Sequence, residues 1–230
     1  MGGPREDNRS PWAAALSGAD PWRLIDEADA LDLGPERTTL LRTALTELDD
    51  LGVDGLQGRA VALAMIAFDD PSELMRAKEA CEAAETAGVS TALPYSQLAE
   101  AFLKARQCGD ALDACARVDT RRLEELDLHW RAVRIDEIRA TCLVRLGRFD
   151  EAGFAIARVL RELVNEDIHE FLPAPVELLD ALVDSANDPD AQTARNAQTV
   201  ISRFANQLPL DSWLPGELAD RIKAICEQGI

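Results

Sequence analysis

The sequence predicts an all-α protein of about 10–12 helices, arranged as antiparallel hairpins. Three observations support this fold class. Apolar residues make up 47% of the chain but aromatic residues only 5%, so the core must be built from Ala, Leu, Val and Ile, which suits close helix packing. Ala77, Ala111 and Ala152 recur after 34 and 41 residues, and a period near 34 is typical of stacked helical hairpins. The candidate helices are joined by short connections, which favour antiparallel neighbours.

The starts of the helices are marked by proline behind a capping residue, where the missing N–H is not needed. Asp precedes Pro21, Pro71 and Pro189, while Pro35, Pro94 and Pro215 follow weaker caps. Together with the apolar periodicity, these signals predict helices over residues 21–31, 35–51, 55–68, 71–87, 94–107, 110–118, 121–146, 149–164, 174–186, 189–206 and 215–227.

The helix over 121–146 is predicted to be unusually long and to protrude. Seven extra residues precede Ala152 relative to the 34-residue period, and seven residues equal about two helical turns. An insertion of that length extends a helix without rotating its packing face.

The chain is long enough to bury a sizeable core, and residues 21–230 are predicted to form one helical-repeat domain. Residues 1–20 are predicted to be an N-terminal tail, partly disordered or holding one short helix. The last helix, about 215–228, carries a one-sided apolar stripe suited to capping the stack, formed by Leu214, Leu218, Ile222 and Ile225.

The segment from Ala140 to Ala152 contains an apolar helix, a turn at Gly147 and an acidic start to a second helix. With Ala77, Ala111 and Ala152 at the small position of the second helix, residues about 58–166 resemble divergent tetratricopeptide repeats. The matching positions of the first helix hold Met65, Ala99 and Ala140, followed by Phe68, Phe102 and Leu143; those of the second hold Cys81, Cys115 and Ile156, followed by Ala84, Val118 and Val159. The resemblance implies a right-handed superhelical stack of hairpins, an α-solenoid. The copies depart from the family pattern because they lack its terminal Pro and its early Trp.

The resemblance also implies a groove lined by the first helix of each hairpin. In the first copy it would expose Arg59, Ala62, Ile66 and Asp69. We call the eight candidate partner-binding residues the predicted repeat groove: Arg59, Ser96, Glu100, Lys104, Arg134, Glu137, Thr141 and Arg145.

One end of this predicted groove is basic, because residues 120–161 hold nine Arg against seven acidic residues. Arg131, Arg134 and Arg145 fall on one side of a helix and are suited to a shared carboxylate. The alternative is that they form ion pairs with acidic residues of the chain itself.

Catalysis is not predicted, because nucleotide-binding and hydrolase motifs are missing from the sequence. The two histidines are His129 and His169, and Glu166 with His169 has the Glu-x-x-His spacing of di-iron ligands. A second copy would be needed, but Leu126 stands three residues before His129. We therefore expect no catalytic residues, no metal and no cofactor.

The charge and the cysteines limit the partners and the compartment. A net charge of −18 repels nucleic-acid phosphates, and no stretch is apolar enough for a signal peptide or a membrane helix. We expect a cytoplasmic protein that binds neither nucleic acid nor membrane. Arg outnumbers Lys by 21 to 3, which with the Ala content suggests a bacterial source.

The five cysteines lack CxxC spacing and are expected to be reduced core thiols: Cys81, Cys108, Cys115, Cys142 and Cys226.

Three functional hypotheses remain open. The leading one is a non-catalytic scaffold or adaptor that binds a protein or peptide partner in the predicted repeat groove. A regulatory sensor that responds to a small ligand is the first alternative, and it would require an enclosed apolar pocket. A homodimeric structural protein is the second, with a two-fold contact near Trp130.

Overall fold

The computed structural model describes residues 20–165, 172–209 and 213–228. It is all-helical, with 81% helix, and the described residues form twelve α-helices packed against their neighbours and no strand. The all-α prediction and the helix number are confirmed. Of the predicted N-terminal tail, residues 1–19 lie outside the described residues, as do Glu166 and His169.

Contacts divide the chain into two compact units, Met1–His129 and Trp130–Ile230. This boundary falls inside the predicted repeats 58–166 and inside the region predicted as one domain, 21–230. The first unit contains α1 (Asp20–Asp29), α2 (Pro35–Asp49), α3 (Leu56–Asp69), α4 (Leu74–Thr86), α5 (Ala92–Lys104), α6 (Cys108–Ala116) and α7 (Thr120–Glu125), with 3₁₀ turns at Gly52–Gly55 and Pro71–Glu73. The second unit contains α8 (His129–Arg145), which begins at the boundary, then α9 (Phe149–Val164), α10 (Val176–Ala186), α11 (Ala191–Gln207) and α12 (Gly216–Gln228).

Ten of the eleven predicted helices are confirmed, with ends within about three residues. The start of α11 differs from the prediction, because Asp190 rather than Asp188 is its cap. The carboxylate of Asp190 accepts the Thr193 N–H at 2.7 Å, and Asp188 accepts the Asp190 N–H at 2.8 Å. The helix therefore begins two residues after Pro189.

The prediction of one long helix over 121–146 is wrong. The chain breaks at Asp127, which has a φ of 59° in the left-handed region. The Leu128 N–H bonds to the Leu123 carbonyl at 2.9 Å and the Asp127 N–H to the Glu124 carbonyl at 3.0 Å, which is the Schellman pattern of a helix end. Leu123 and Leu128 are both buried, as is common for apolar residues at these two positions of the motif. Periodicity missed the break because Asp, unlike Gly, is a weak signal for a left-handed residue.

The core of the first unit is centred on α3, against which α2, α4 and α5 pack. Residues 60–67 of α3 are all buried, so this helix has no solvent-facing side over that stretch. At Gly58 a Cβ atom would approach Trp22 Cη2 to 2.6 Å and Leu48 Cδ2 to 2.7 Å. Glycine is therefore required where α1 and α2 approach α3.

In the second unit α10, α11 and α12 pack on one another, and the stripe of α12 is buried at Leu218, Ile222 and Ile225. An ion pair joins α8 to α9, from Arg158 Nε to Asp136 Oδ2 at 3.0 Å. Asp136 is buried, and that burial raises its pKa, while the charges of Arg158 and Arg139 oppose the shift.

The alanines that define the sequence period are fully buried: Ala77, Ala111 and Ala152. Ten of the twelve other aligned positions are buried as well, namely Met65, Ala99, Ala140, Phe102, Leu143, Cys81, Cys115, Ile156, Ala84 and Val159. The other two aligned positions, Phe68 and Val118, are half-buried. The 34-residue and 41-residue spacings therefore pick out core positions.

Among the described helices, none is long and apolar enough to cross a membrane.

Candidate functional site

The predicted repeat groove is not a solvent-facing surface over much of its length. In the first unit the expected lining residues Ala62 and Ile66 are buried, and so is Ser96, whose hydroxyl donates to the Leu93 carbonyl at 2.8 Å. Arg59 is half-buried and pairs with Asp49. The expectation that the first helices expose these faces is therefore wrong.

The remaining first-unit candidates lie at the C-terminal half of α5. Glu100 is half-buried, and Lys104 is exposed with its Nζ 4.0 Å from the centre of the Phe68 ring. A cation over an aromatic face is a weakly stabilising contact between helices.

In the second unit, two candidates on α8 are buried, Glu137 and Thr141, and the Thr141 hydroxyl donates to the Glu137 carbonyl at 2.7 Å. Arg134 and Arg145 are half-buried. Arg134 contacts Glu137 Oε1 at 2.7 Å and donates two hydrogen bonds to Glu177, at 3.1 and 3.2 Å. The carboxylate near these arginines is thus one of the chain's own.

The pKa of Glu177 is lowered despite partial burial. Burial would raise it, but the hydrogen bonds and charge of Arg134, with a contribution from the charge of Arg145, outweigh that effect. Glu177 is therefore ionised when it bonds Arg134.

A different surface of the second unit forms an open groove of about 730 Å³ between α9 and α11, which we call the α9/α11 groove. Both helices contribute one stripe of side chains at helical spacing. Its lining residues are Phe149, Asp150, Gly153, Ile156, Ala157, Leu160, Arg161 and Val164 of α9 and Asn196, Thr199, Val200, Arg203, Phe204 and Gln207 of α11.

The floor of the α9/α11 groove is apolar and well packed, since Ile156, Leu160 and Phe204 are buried there. On α9 the neighbouring Phe154 is 77% exposed, and Val164, which lines the groove, is 45% exposed. Large apolar side chains at such exposure next to a groove are typical of an interaction surface.

The sequence contained a signal for this surface that the hairpin alignment did not use. One face of α9 carries Ala152, Ile156, Val159 and Leu163, which fill the core. Phe149, Ala157 and Val164 extend the apolar arc to roughly 160° of the helical wheel, and the apolar Phe154 lies beyond Asp150 and Arg161. A helix that is apolar on more than its core face has surface left for another partner.

The charged side chains of the groove are Asp150, Arg161 and Arg203. Arg161 is exposed and pairs with its sequence neighbour Glu162 at 3.2 Å. Arg203 is exposed and makes no hydrogen bond or ion pair with another residue of the described segments. The groove therefore presents a guanidinium that nothing in the described chain neutralises.

A second cavity, of about 340 Å³, lies in the first unit beside α4, α5 and α6. Its polar groups bond one another: Tyr95 Oη donates to Glu85 at 2.9 Å and accepts from Arg117 at 2.6 Å, and Lys78 pairs with Asp110 at 3.1 Å. Burial raises the pKa of Tyr95 to about 12. These polar groups of the cavity therefore satisfy one another.

The five cysteines form no disulfide; four are buried and Cys226 is half-buried. Across residues 20–165, 172–209 and 213–228, no three His, Cys, Asp or Glu side chains are grouped so as to hold a metal ion.

Comparisons with protein-family models, with curated proteins and with solved structures give no match.

Proposed function

We propose that this chain is a non-catalytic interaction scaffold that binds a protein or peptide partner in the α9/α11 groove. The observation that carries the proposal is an open groove of about 730 Å³ with an apolar floor and the exposed Phe154 beside it. Apolar grooves and exposed apolar side chains bordered by polar groups are typical of surfaces that bind a protein or peptide.

The proposal places the partner on the second helix of the third hairpin, α8–α9, instead of in the predicted repeat groove. Burial of Ser96, Glu137 and Thr141 removes three of the eight predicted contacts from solvent. Arg134 is engaged by Glu137 and Glu177. A partner therefore finds more accessible apolar surface on α9 than on α8.

We further propose that the hairpins α3–α4, α5–α6 and α8–α9 are tetratricopeptide-like. The burial of Ala77, Ala111 and Ala152 supports this assignment. So do the turns of the last two hairpins, since Arg106 and Gly147 occupy aligned positions and both have φ in the left-handed region, 58° and 70°.

The test places a charge in the groove without changing the core. Ala157 lines the groove and is exposed, so Ala157→Glu should keep the helicity and melting temperature of the wild type. Ala83→Glu is the matched control, because Ala83 is an exposed position inside another helix, α4.

Each variant is used as tagged bait in a lysate of the source organism, with quantitative mass spectrometry. We expect one near-stoichiometric protein that the wild type and Ala83→Glu retain and Ala157→Glu loses. Equal capture by all three proteins, or capture by none, would overturn the proposal. Light scattering of the same samples tests the homodimer.

A further inference from the structure

The α9/α11 groove is long enough to hold one helix. Its lining follows α9 from Phe149 to Val164, about 24 Å of helix, and α11 from Asn196 to Gln207, about 18 Å. The described residues around it contain no strand that could pair with an extended peptide. Of the common recognition modes, an amphipathic helix laid into a groove fits a long surface that two helices line.

Small residues on α9 leave room for the backbone of such a helix. A Cβ atom built at Gly153 would have nothing within 4 Å, and Ala157 lies one turn further along the same face. Below them the buried side chains of Ile156 and Leu160 supply the apolar floor. A helix with Leu-like side chains at i, i+3, i+4 and i+7 would bury them against this floor.

The charges of the groove differ in sign from those of the chain as a whole. The groove holds two arginines and one aspartate, whereas the net charge of the chain is −18. Arg203 has no hydrogen-bonding or ionic partner within the described residues, and the Arg161 side chain is 71% exposed. An acidic side chain beside the apolar face of a partner would neutralise Arg203, whereas Arg161 already pairs with Glu162.

Charge also argues against a second copy as the occupant. In a two-fold contact the same patch meets itself, so the interface would hold four arginines against two aspartates. Like charges brought together at an interface disfavour association.

We propose that the occupant of the α9/α11 groove is a single amphipathic helix of a partner protein, with acidic side chains flanking its apolar face. This inference rests on the proposed function, because it assumes that the groove is a binding site, and it adds the chemistry of the partner.

The probes are two fluorescein-labelled, stapled 16-residue helical peptides with an identical Leu face. One carries Glu at the flanking positions and the other carries Lys. Fluorescence anisotropy with the full chain at about 150 mM salt keeps the Debye length near 8 Å, so the overall charge of the chain is largely screened. We expect the Glu-flanked peptide to bind about tenfold more tightly than the Lys-flanked one.

Two substitutions on α11 separate groove charge from net charge. Arg203 lines the groove and Arg195 does not, although both are exposed, so Arg203→Glu and Arg195→Glu change the net charge equally. Arg203→Glu should weaken the Glu-flanked peptide about threefold to fivefold, while Arg195→Glu should leave its affinity unchanged within about twofold.

The outcomes distinguish this inference from the proposed function. No binding of either peptide, equal binding of both, or tighter binding of the Lys-flanked one would overturn the acidic-helix inference. If partner capture still depends on Ala157 in that case, the groove is a binding site for a partner of other chemistry. If capture does not depend on Ala157, the proposed function fails as well. A dimer in light scattering that Ala157→Glu converts to monomer would assign the groove to a second copy.

Discussion

Arg134 and Glu177 form a two-point pair in which the two terminal nitrogens of the guanidinium bond the two carboxylate oxygens at 3.1 and 3.2 Å. The pair joins α8 to the first turn of α10, and Arg134 also contacts Glu137 at 2.7 Å. This pair is one of several ion pairs that arginines of the segment 120–161 form within the chain. Among the described residues, the arginines of this segment that pair with acidic residues of the chain include Arg122, Arg134, Arg139, Arg148, Arg158 and Arg161.

Glu177→Gln should lower the free energy of unfolding in a pH-dependent way. The pKa of Glu177 is lowered in the folded protein, because the hydrogen bonds and charge of Arg134 outweigh the opposing effect of burial. The stabilisation that Glu177 provides is therefore fully present above its ordinary pKa of 4.5. It is lost as the pH falls through the lower pKa that Glu177 has in the folded protein. Since the Glu177 side chain is 44% exposed, we expect the substitution to lower the free energy of unfolding by about 0.5–1 kcal/mol at pH 7.

Urea unfolding at pH 7 and at steps between about pH 5 and 3 measures this difference. Glu47→Gln is the control, since Glu47 is exposed and has no ion pair among the described residues. A wild-type advantage over Glu177→Gln that stays constant down to the lowest pH would contradict the assignment.

Asp69→Ala should destabilise the first unit strongly, because Arg37 and Asp69 form a buried ion pair. Arg37 bonds Asp69 Oδ1 at 2.6 Å and the Ala28 carbonyl at 3.2 Å, and about a tenth or less of either side chain is exposed. Removing the carboxylate leaves a buried cation without its counter-charge, at a cost of about 3–5 kcal/mol.

The double variant Arg37→Met with Asp69→Leu should recover most of that loss, because an apolar pair of similar volume needs no hydrogen bonds. Urea unfolding of Arg37→Met, of Asp69→Leu and of the double variant gives the coupling free energy between the two residues. Additive losses would show that the two residues act independently.

Arg106→Gly should raise the free energy of unfolding by about 1 kcal/mol. Arg106 ends α5 with a φ of 58°, and the N–H groups of Arg106 and Gln107 bond the Leu103 and Phe102 carbonyls at 2.9 Å. A side chain is disfavoured in this left-handed position and glycine is not.

Gly147→Ala is the converse variant, since Gly147 ends α8 in the same way with a φ of 70°. This substitution should lower the free energy of unfolding by about 1 kcal/mol, as measured by thermal or urea unfolding. Arg106→Ala separates backbone strain from loss of the Arg side chain, and a gain as large as that of Arg106→Gly would contradict the backbone explanation.

Cys226 should be alkylated first, and Cys81 only after unfolding. Burial raises the pKa of the Cys81 thiol to about 12, with a further contribution from the charge of Glu82 and an opposing one from Arg117. At pH 8 almost no Cys81 thiolate is present, and the thiolate is the reactive form. Cys226 is half-buried and more accessible to reagent.

Iodoacetamide at pH 8, followed by peptide mass spectrometry with and without urea, measures the order of labelling. Labelling of Cys81 in the native protein at the rate of Cys226 would contradict the burial of this thiol.

The helices were predictable because their signals are local. The predicted helix 149–164 matches α9 at both ends, and Asp70 caps the turn at Pro71 by accepting the Ser72 N–H at 3.0 Å. Capping residues, Pro at the first turn and apolar spacing act within a few residues along the chain, so one sequence contains them. The break at Asp127 was missed because Asp, unlike Gly, is a weak signal for the left-handed conformation that it adopts there.

The sequence by itself determined the all-α class, most of the helix boundaries and the positions that fill the core, such as Ala77, Ala111 and Ala152. Only the tertiary structure decided which helix faces remained open. In the folded protein Ser96 and Thr141 are buried, Arg134 donates hydrogen bonds to Glu177, and the outer side of α9 lines a groove. Exposure depends on what packs against a face from distant parts of the chain, and helical periodicity carries no information about that neighbour.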